Sequence, residues 1–345
     1  MLRILDANLN RIGEGLRVLE DISRFVLNDV ELSQQLKSLR HDLLPKAPLF
    51  REKLLGARRA GDDVGAFADE DCKGARADAG SLVSANSRRV QQSLRVLEEM
   101  AKMPDQALGL DWESLKQARF SLYELEQRIV LRLLRGDRMA KMAGLYLVID
   151  PQALGGRSEI EVAEQAIEGG ARVVQLRDKT RPKSTVLAVA QELRQVCVDG
   201  DALFIANDDL DVALGSDADG LHVGQDDLPV DIARKLMPPD RIVGCSTATL
   251  AEALEAQKQG ADYIAVGAIY DTPSKPGTRV AGIETLRRVR AEVSVPVVAI
   301  GGINEDNVAE VVSAGANAVA VISAVLGAED VREASQRLAA IIREG

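Results

Sequence analysis

Ala218-Asp219-Gly220-Leu221-His222-Val223-Gly224-Gln225-Asp226-Asp227 is a short apolar run that leaves through a glycine and arrives at two carboxylates. The run suits a buried parallel strand, and acid delivered at a strand's carboxyl end marks a working edge. Its opening recurs as Gly170-Ala171-Arg172-Val173-Val174, Gly260-Ala261-Asp262-Tyr263-Ile264 and Gly315-Ala316-Asn317-Ala318-Val319. Each reads as a helix ending at Gly-Ala, a tight turn and a new buried strand, the βα repeat from which barrels are built.

Outward from that repeat, runs suited to strands fall at 145–149, 172–177, 202–206, 219–223, 242–245, 263–267, 296–300 and 318–322. Helical stretches at 160–168, 183–198, 250–259, 283–292 and 304–314 separate most of them. About eight strands in roughly 200 residues is near the lower size of a (β/α)8 barrel. An open, doubly wound sheet is the rival. Against it, the first strand lacks the Gly-x-Gly-x-x-Gly turn with which such a sheet seats a dinucleotide.

In a barrel the chemistry belongs at the carboxyl ends of the strands, and polar residues gather there. The second strand ends in Gln175-Leu176-Arg177-Asp178-Lys179, the third in Asn207-Asp208, the fourth in Gln225-Asp226-Asp227 and the fifth in Ser246-Thr247. The sixth leads to Thr272-Pro273-Ser274-Lys275, the seventh to Gly301-Gly302 and the eighth to Ser323. Asp208 and Asp227 suit a hard, oxygen-liganded Mg2+ that takes its other ligands from water and phosphate. Arg177, Lys179 and Lys275 suit the charge of a diphosphate, with Ser246 as a neutral donor. The glycines after the seventh strand and the start of the eighth loop read as a second phosphate cradle, so two phosphorylated substrates are expected. Taken singly, Asp178 and Lys179 also read as an exposed salt bridge and Asp226 as a helix cap. His222 lies within its strand, so register decides which way it faces, and a packed, hydrogen-bonded side chain is expected. His41 is expected at the surface and Cys245 in the core.

Ahead of the barrel domain, 139–345, residues 1–138 read as a mainly α-helical domain. Leu5, Leu9, Ile12, Leu16, Leu19 and Ile22 step at three and four residues, with Asn8, Arg11 and Arg17 off that stripe. Ala7-Asn8, Arg11 and Leu16-Arg17-Val18-Leu19-Glu20 reappear as Ala85-Asn86, Arg89 and Leu94-Arg95-Val96-Leu97-Glu98, displaced by 78 residues (86 − 8 = 78). Polar residues in fixed register point to equivalent helices, either a structural duplicate or a pair presenting matched faces to a ligand. Residues 56–80, rich in Gly, Ala, Asp and Arg, read as a mobile loop, 112–134 as the closing helix and 136–144 as the linker.

Composition fits two domains. A chain of 345 residues is long enough for two cores, and 46% hydrophobic with 3% aromatic content makes those cores mostly Ala, Val, Leu and Ile. A formal net charge of -10 argues against a general nucleic-acid or anionic-membrane binder. Cys72, Cys197 and Cys245 share no close spacing, so neither a disulfide framework nor a zinc site is expected, and a reducing cytoplasm fits. Met1 leads into charged helical sequence, and no apolar run approaches the roughly 20 residues of a membrane span. A soluble, cytoplasmic protein is expected. No Gly-x-x-x-x-Gly-Lys-Ser/Thr loop occurs.

With these residues assembled, the segment from about Gly144 onward resembles the thiamine-phosphate synthase (thiamine-phosphate pyrophosphorylase) family. The resemblance rests on Gln175-Leu176-Arg177-Asp178-Lys179, Asn207-Asp208, His222-Val223-Gly224-Gln225-Asp226-Asp227, Gly244-Cys245-Ser246, Thr272-Pro273-Ser274-Lys275, Gly301-Gly302-Ile303 and Val321-Ile322-Ser323. Ser274 stands where a second threonine is usual, and Tyr270 where Phe is common. The resemblance implies a TIM barrel that joins an aminopyrimidine methyl diphosphate to thiazole phosphate through a dissociative, Mg2+-assisted substitution. It implies Arg177, Lys179, Ser246 and Lys275 as catalytic charge partners, and Asp208 and Asp227 as metal ligands. Gln175, Leu176, Asp178 and Asn207 would complete the pyrimidine diphosphate site. Thr272, Pro273, Ser274, Gly302, Ile322 and Ser323 would hold the thiazole phosphate. A thiazole tautomerase resembles the synthase but has no diphosphate to bind.

The helical part is similar to a domain often fused ahead of such synthases and implicated as an alternative type of hydroxymethylpyrimidine-phosphate kinase. Asn8, Arg11, Arg17, Asn86 and Arg89 would then form its site, with ATP as phosphoryl donor. A non-catalytic assembly or ligand-binding module is the rival reading. The implied partners are small phosphorylated pyrimidines and thiazoles rather than nucleic acid or membrane, and a homo-oligomer is compatible with the sequence.

Overall fold

The computed structural model describes residues 1–45, 47–58, 78–103, 110–272 and 280–345. The chain divides into two compact units, Met1–Leu134 and Arg135–Gly345.

The first unit is built from helices α1 (Leu2–Asp21), α2 (Val30–Leu43), α3 (Pro48–Ala57), α4 (Ala79–Ala101) and α5 (Trp112–Ala140), the last running past the unit's end. A single π turn, Ile22–Val26, follows α1. Side-chain caps fix the starts of two helices: Asp29 accepts from the Leu32 N–H at 3.0 Å, and Asp78 from the Ser81 N–H at 2.6 Å. The apolar stripes of α1 and α4 meet in one core with Leu32, Leu36 and Leu122. A Cβ on Gly15 would come within 2.5 Å of Val90 Cγ2, so glycine lets the two helices approach.

The repeated residues take repeated places. Asn8 Nδ2 donates to the Ile4 carbonyl and Asn86 Nδ2 to the Leu82 carbonyl, each at 2.8 Å. Glu20 accepts from Arg17 and Arg40, while Glu98 accepts from Arg95 and Arg119. Asn8, expected off the apolar stripe, is buried, because its amide folds back onto its own helix. The loop expected at 56–80 has its residues 59–77, including Cys72, outside the described residues, and its last residues, from Ala79, already belong to α4.

In the second unit, strands β1 (Gly144–Ile149), β2 (Ala171–Leu176), β3 (Leu203–Asn207), β4 (Gly220–Val223), β5 (Ile242–Thr247), β6 (Tyr263–Gly267), β7 (Val297–Ile300) and β8 (Ala318–Val321) pair in parallel. They close in sequence order, β8 pairing with β1, so the open sheet is excluded. Helices α6 (Glu159–Glu168), α7 (Lys183–Asp199), α8 (Leu210–Gly215), α9 (Val230–Leu236), α10 (Leu250–Lys258), α11 (Gly282–Glu292), α12 (Val308–Ser313), α13 (Ser323–Leu326) and α14 (Val331–Glu344) follow the strands.

Alternate residues of each strand separate two cores. Leu147, Val174, Phe204, Leu221 and Ile264 pack outward with the helices, whereas Tyr146, Val148, Val173, Ile205, Tyr263 and Ala320 fill the interior. The Gly-Ala repeat proves to be a clamp. Gly170, Gly260 and Gly315 hold φ near +100° (+103°, +97° and +98°), which ends each helix without a Cβ clash. Two residues after the last two, Asp262 accepts from the Val243 N–H at 2.8 Å and Asn317 from the Val297 N–H at 2.9 Å, tying each turn to the preceding strand.

Two expectations are corrected. Residues 136–140, expected as linker, belong to α5: Met139 and Met142 pack under the interior cluster, and Arg135 and Arg138 reach Asp262 and Asp219. The helix expected from residue 304 begins at Val308, because Asn304 and Asn307 spend their side chains on a turn, Asn307 Oδ1 accepting from the Asn304 N–H at 2.9 Å.

Candidate active site

A cavity of about 330 Å³ opens at the carboxyl ends of the strands. Strand alternation selects what faces it. Because Leu176, Ala206, Val223 and Cys245 belong to the outer core, Gln175, Asn207, His222 and Ser246 turn inward, and all four line the cavity. The loops add Arg177, Lys179, Asp208, Gln225, Asp226, Asp227, Thr272, Gly301, Gly302, Ile322 and Ser323.

Asp208 and Asp227 make its acidic corner. Asp208 holds φ at +60°, a left-handed backbone that costs a residue with a Cβ about 1 kcal/mol. Its N–H bonds the His222 carbonyl at 2.8 Å, so β4 holds the strained residue in place. Asp227 Oδ2 accepts from the Gly224 N–H at 2.9 Å, and Lys179 Nζ lies 2.8 Å from Asp208 Oδ2. Burial, reinforced by the adjacent Asp227 carboxyl, raises the Asp208 carboxyl above its ordinary range even with Lys179 beside it. Among the described residues, no group of three or more His, Cys, Asp or Glu could enclose a metal. Two adjoining carboxylates with surplus negative charge instead fit an ion such as Mg2+, which keeps water and shares its ligands with phosphate.

Arg177 Nη1 lies 2.5 Å from Asp150 Oδ2, and Asp150 Oδ1 accepts from the Gln152 N–H at 3.0 Å. The end of β1 thus steadies the guanidinium. Sequence reasoning passes over Asp150, although an acid directly after the first strand is the same signal used at the third and fourth. Tyr146 and Tyr263 are passed over too: Tyr263 Oη sits 2.8 Å from His222 Nδ1, and Ser246 Oγ 2.8 Å from His222 Nε2. His222 is packed and hydrogen-bonded as expected, and burial lowers its pKa to about 4. Burial pushes the Cys245 thiol up to about 11, which keeps it protonated in the core.

Some candidates lie elsewhere. Leu176 is in the outer core, not the cavity wall. Asp178 turns from the cavity to accept from the Thr180 and Arg181 N–H groups and to pair with Arg181; burial alone would raise its pKa, but these bonds hold it at about 2. Lys179 therefore pairs with Asp208 rather than with Asp178. The N-cap of α9 is Pro229, not Asp226. Pro273, Ser274 and Lys275 fall outside the described residues. In the helical unit, Asn8 and Asn86 bond within their own helices, Arg17 pairs with Glu20 and Asp21, and Arg11, Arg89 and His41 are exposed.

Residues 145–325 match the thiamine monophosphate synthase family. The chain belongs to that family. Residues 3–128 match the ThiD2 family, so a hydroxymethylpyrimidine kinase-like domain precedes the thiamine monophosphate synthase domain. Thiamine-phosphate synthase of Synechocystis sp. is 40% identical over 339 residues, covering 97% of this chain and 94% of the relative. Thiamine-phosphate synthase of Gloeobacter violaceus is 41% identical over 334 residues, covering 96% and 93%. Among solved structures, thiamine phosphate pyrophosphorylase from Pyrococcus furiosus superposes with a TM-score of 0.55 at 43% identity, covering 60% of this chain and 98% of its own. As a thiamine monophosphate synthase family member the chain is an enzyme, a transferase of thiamine biosynthesis. Among the described residues no helix is long and apolar enough to cross a membrane.

Proposed function

We propose that the barrel joins 4-amino-2-methyl-5-(diphosphomethyl)pyrimidine to thiazole phosphate, yielding thiamine phosphate and pyrophosphate. The observation that carries this reading is the convergence of Arg177, Lys179 and Ser246 with the Asp208–Asp227 corner on one cavity. The bond from the pyrimidine methylene to the diphosphate oxygen breaks, and its electron pair leaves with the pyrophosphate. The thiazole nitrogen then gives its lone pair to the methylene carbon. Stabilising the departing charge is the task that sets the rate, and Arg177, Lys179, Ser246 and Lys275 perform it by charge and hydrogen bonding. Asp208 and Asp227 would hold Mg2+, which would supply further positive charge at the phosphates. Gln175 and Asn207 orient the pyrimidine, and Thr272, Ser274, Gly302, Ile322 and Ser323 receive the thiazole phosphate. No protein nucleophile is called for, in keeping with the protonated Cys245. The diphosphate equipment favours synthase over tautomerase.

Asp227→Asn is expected to lower kcat roughly a hundredfold or more, as when a group stabilising transition-state charge is lost. Steady-state formation of thiamine phosphate at saturating Mg2+ measures this, and near-normal kcat would contradict the assignment.

For the helical unit we propose phosphoryl transfer from ATP to the pyrimidine monophosphate, which supplies the barrel's diphosphate. Support comes from the ThiD2 match and from Arg11 and Arg89, exposed and in register on repeated helices. Arg89→Ala in the full chain is expected to abolish diphosphate formation from monophosphate and ATP while sparing turnover of supplied diphosphate. Loss of both activities, read by product mass, would mean that the helical unit supports the barrel instead. Both reactions use small soluble metabolites, in keeping with a cytoplasmic enzyme.

A further inference from the structure

Five polar side chains form one line through the barrel interior. Gln175 Nε2 lies 2.9 Å from Tyr146 Oη, Tyr146 Oη 3.1 Å from Tyr263 Oη, Tyr263 Oη 2.8 Å from His222 Nδ1, and His222 Nε2 2.8 Å from Ser246 Oγ. Both tyrosines are fully buried, and His222 is 7% exposed. The line is built into the strands: a Cβ on Gly244 would come within 2.0 Å of the Tyr263 ring, so glycine there makes room for it beside β5.

The Gln175 amide presents its nitrogen to the line, and that orientation sets the direction of the rest. The Gln175 amide nitrogen donates to Tyr146 Oη, whose other partner among the described residues is Tyr263 Oη, and so its own proton goes there. Tyr263, accepting from Tyr146, keeps its own proton for its other partner, His222 Nδ1. A neutral imidazole whose Nδ1 accepts carries its hydrogen on Nε2 and donates it to Ser246 Oγ. The serine oxygen then accepts from Nε2–H, so its single proton is not spent on the histidine and is left to point into the cavity that it lines.

We infer that Tyr146, Tyr263 and His222 are positioning residues that fix the histidine in its Nε2–H tautomer and so aim the Ser246 hydroxyl proton outward as a hydrogen-bond donor to a phosphate oxygen. This rests on the reading of Ser246 as a donor to the diphosphate. The same line joins that donor to Gln175, the residue proposed to orient the pyrimidine, so both ends of one substrate are referred to a single rigid feature of the interior. Reversing the amide of Gln175 would reverse every bond: Nδ1 would carry the hydrogen, Nε2 would accept from Ser246, and the serine would face the cavity as an acceptor, which repels phosphate.

The two directions are distinguished by nitrogen-15 magnetic resonance of the full chain labelled at histidine. The sequence has two histidines, and the exposed His41 is assigned by His41→Gln. At neutral pH His222 is expected as the Nε2–H tautomer, and an Nδ1–H tautomer would overturn the inference. Tyr263→Phe, checked for folding by its thermal transition, is expected to release the tautomer preference and to lower kcat about tenfold, the scale of one misaimed hydrogen bond, with KM for thiazole phosphate unchanged. A merely structural tyrosine would shift the melting temperature and leave tautomer and kcat as they were, which would refute the positioning role. Ser246→Ala separates the levels. If it leaves kcat unchanged, the diphosphate-donor reading fails and the inference falls with it. If it lowers kcat while Tyr263→Phe does not, the inference alone fails.

Discussion

Glu98 in the helical unit and Asp208 at the barrel rim are both carboxylates withdrawn from water, yet they end on opposite sides of their ordinary range. Burial pushes each upward. At Glu98 the guanidinium groups of Arg119, 2.6 Å away, and Arg95, 3.1 Å away, overcome it and hold the carboxyl low. At Asp208 the Lys179 ammonium does not overcome burial and the adjoining Asp227, and the carboxyl stays high. Buried acid matched by two arginines is a fastener. Half-buried acid set against more acid is the arrangement that added positive charge would stabilise, which is why it is the proposed metal corner. His222 shows a third outcome, for burial holds it neutral.

The fastener is the easiest to break. Glu98→Ala would leave Arg119 facing a buried, unpaired position, and the helical unit should lose about 3 kcal/mol, the low end for a broken buried pair because Arg95 reaches water. Amide exchange in α4 and α5 of the full chain measures it. A loss near zero would place Glu98 with ordinary surface acids and dissolve the contrast.

His222 sharpens the comparison through pH. Its pKa near 4 in the folded chain lies below the ordinary 6.5, so the unfolded chain binds the proton first as pH falls. Its contribution to stability is complete above pH 6.5 and is lost as pH drops toward 4, amounting to about 2 kcal/mol between pH 7 and pH 5. Comparing barrel amide exchange in the native chain and in His222→Gln across that interval checks the sign. Equal pH dependence in both would mean that His222 is not held neutral.

The barrel was largely readable from its sequence, because a buried parallel strand leaves a dense apolar run and each strand end leaves polar residues beside it. The strand expected at 263–267 is Tyr263–Gly267. Asp150, at the end of the first strand, carries that same signal, but only the closed barrel shows it to be the partner of Arg177. Leu176 and Asp178 show the opposite limit, since adjacency in a motif does not place neighbours on one face, and alternation sends Leu176 outward. The expected linker departs from its sequence reading for another reason. Gly136 and the surrounding charges look like a linker, but Arg135 and Arg138 are matched by Asp262 and Asp219, acids distant in sequence. In the helical unit the repeat announced equivalent helices, while Arg40 and Arg119, the guanidinium partners of the two glutamates from other helices, lie one residue off the repeat and carried no signal.

The central proposal is that Asp208 and Asp227 would hold a cation together with the diphosphate. Calorimetric titration of inorganic pyrophosphate into the full chain tests it directly. Binding should require Mg2+ and weaken at least about tenfold in Asp208→Asn, the scale of one lost charged contact. Pyrophosphate binding that is equally tight without Mg2+, or unchanged in Asp208→Asn, would contradict it.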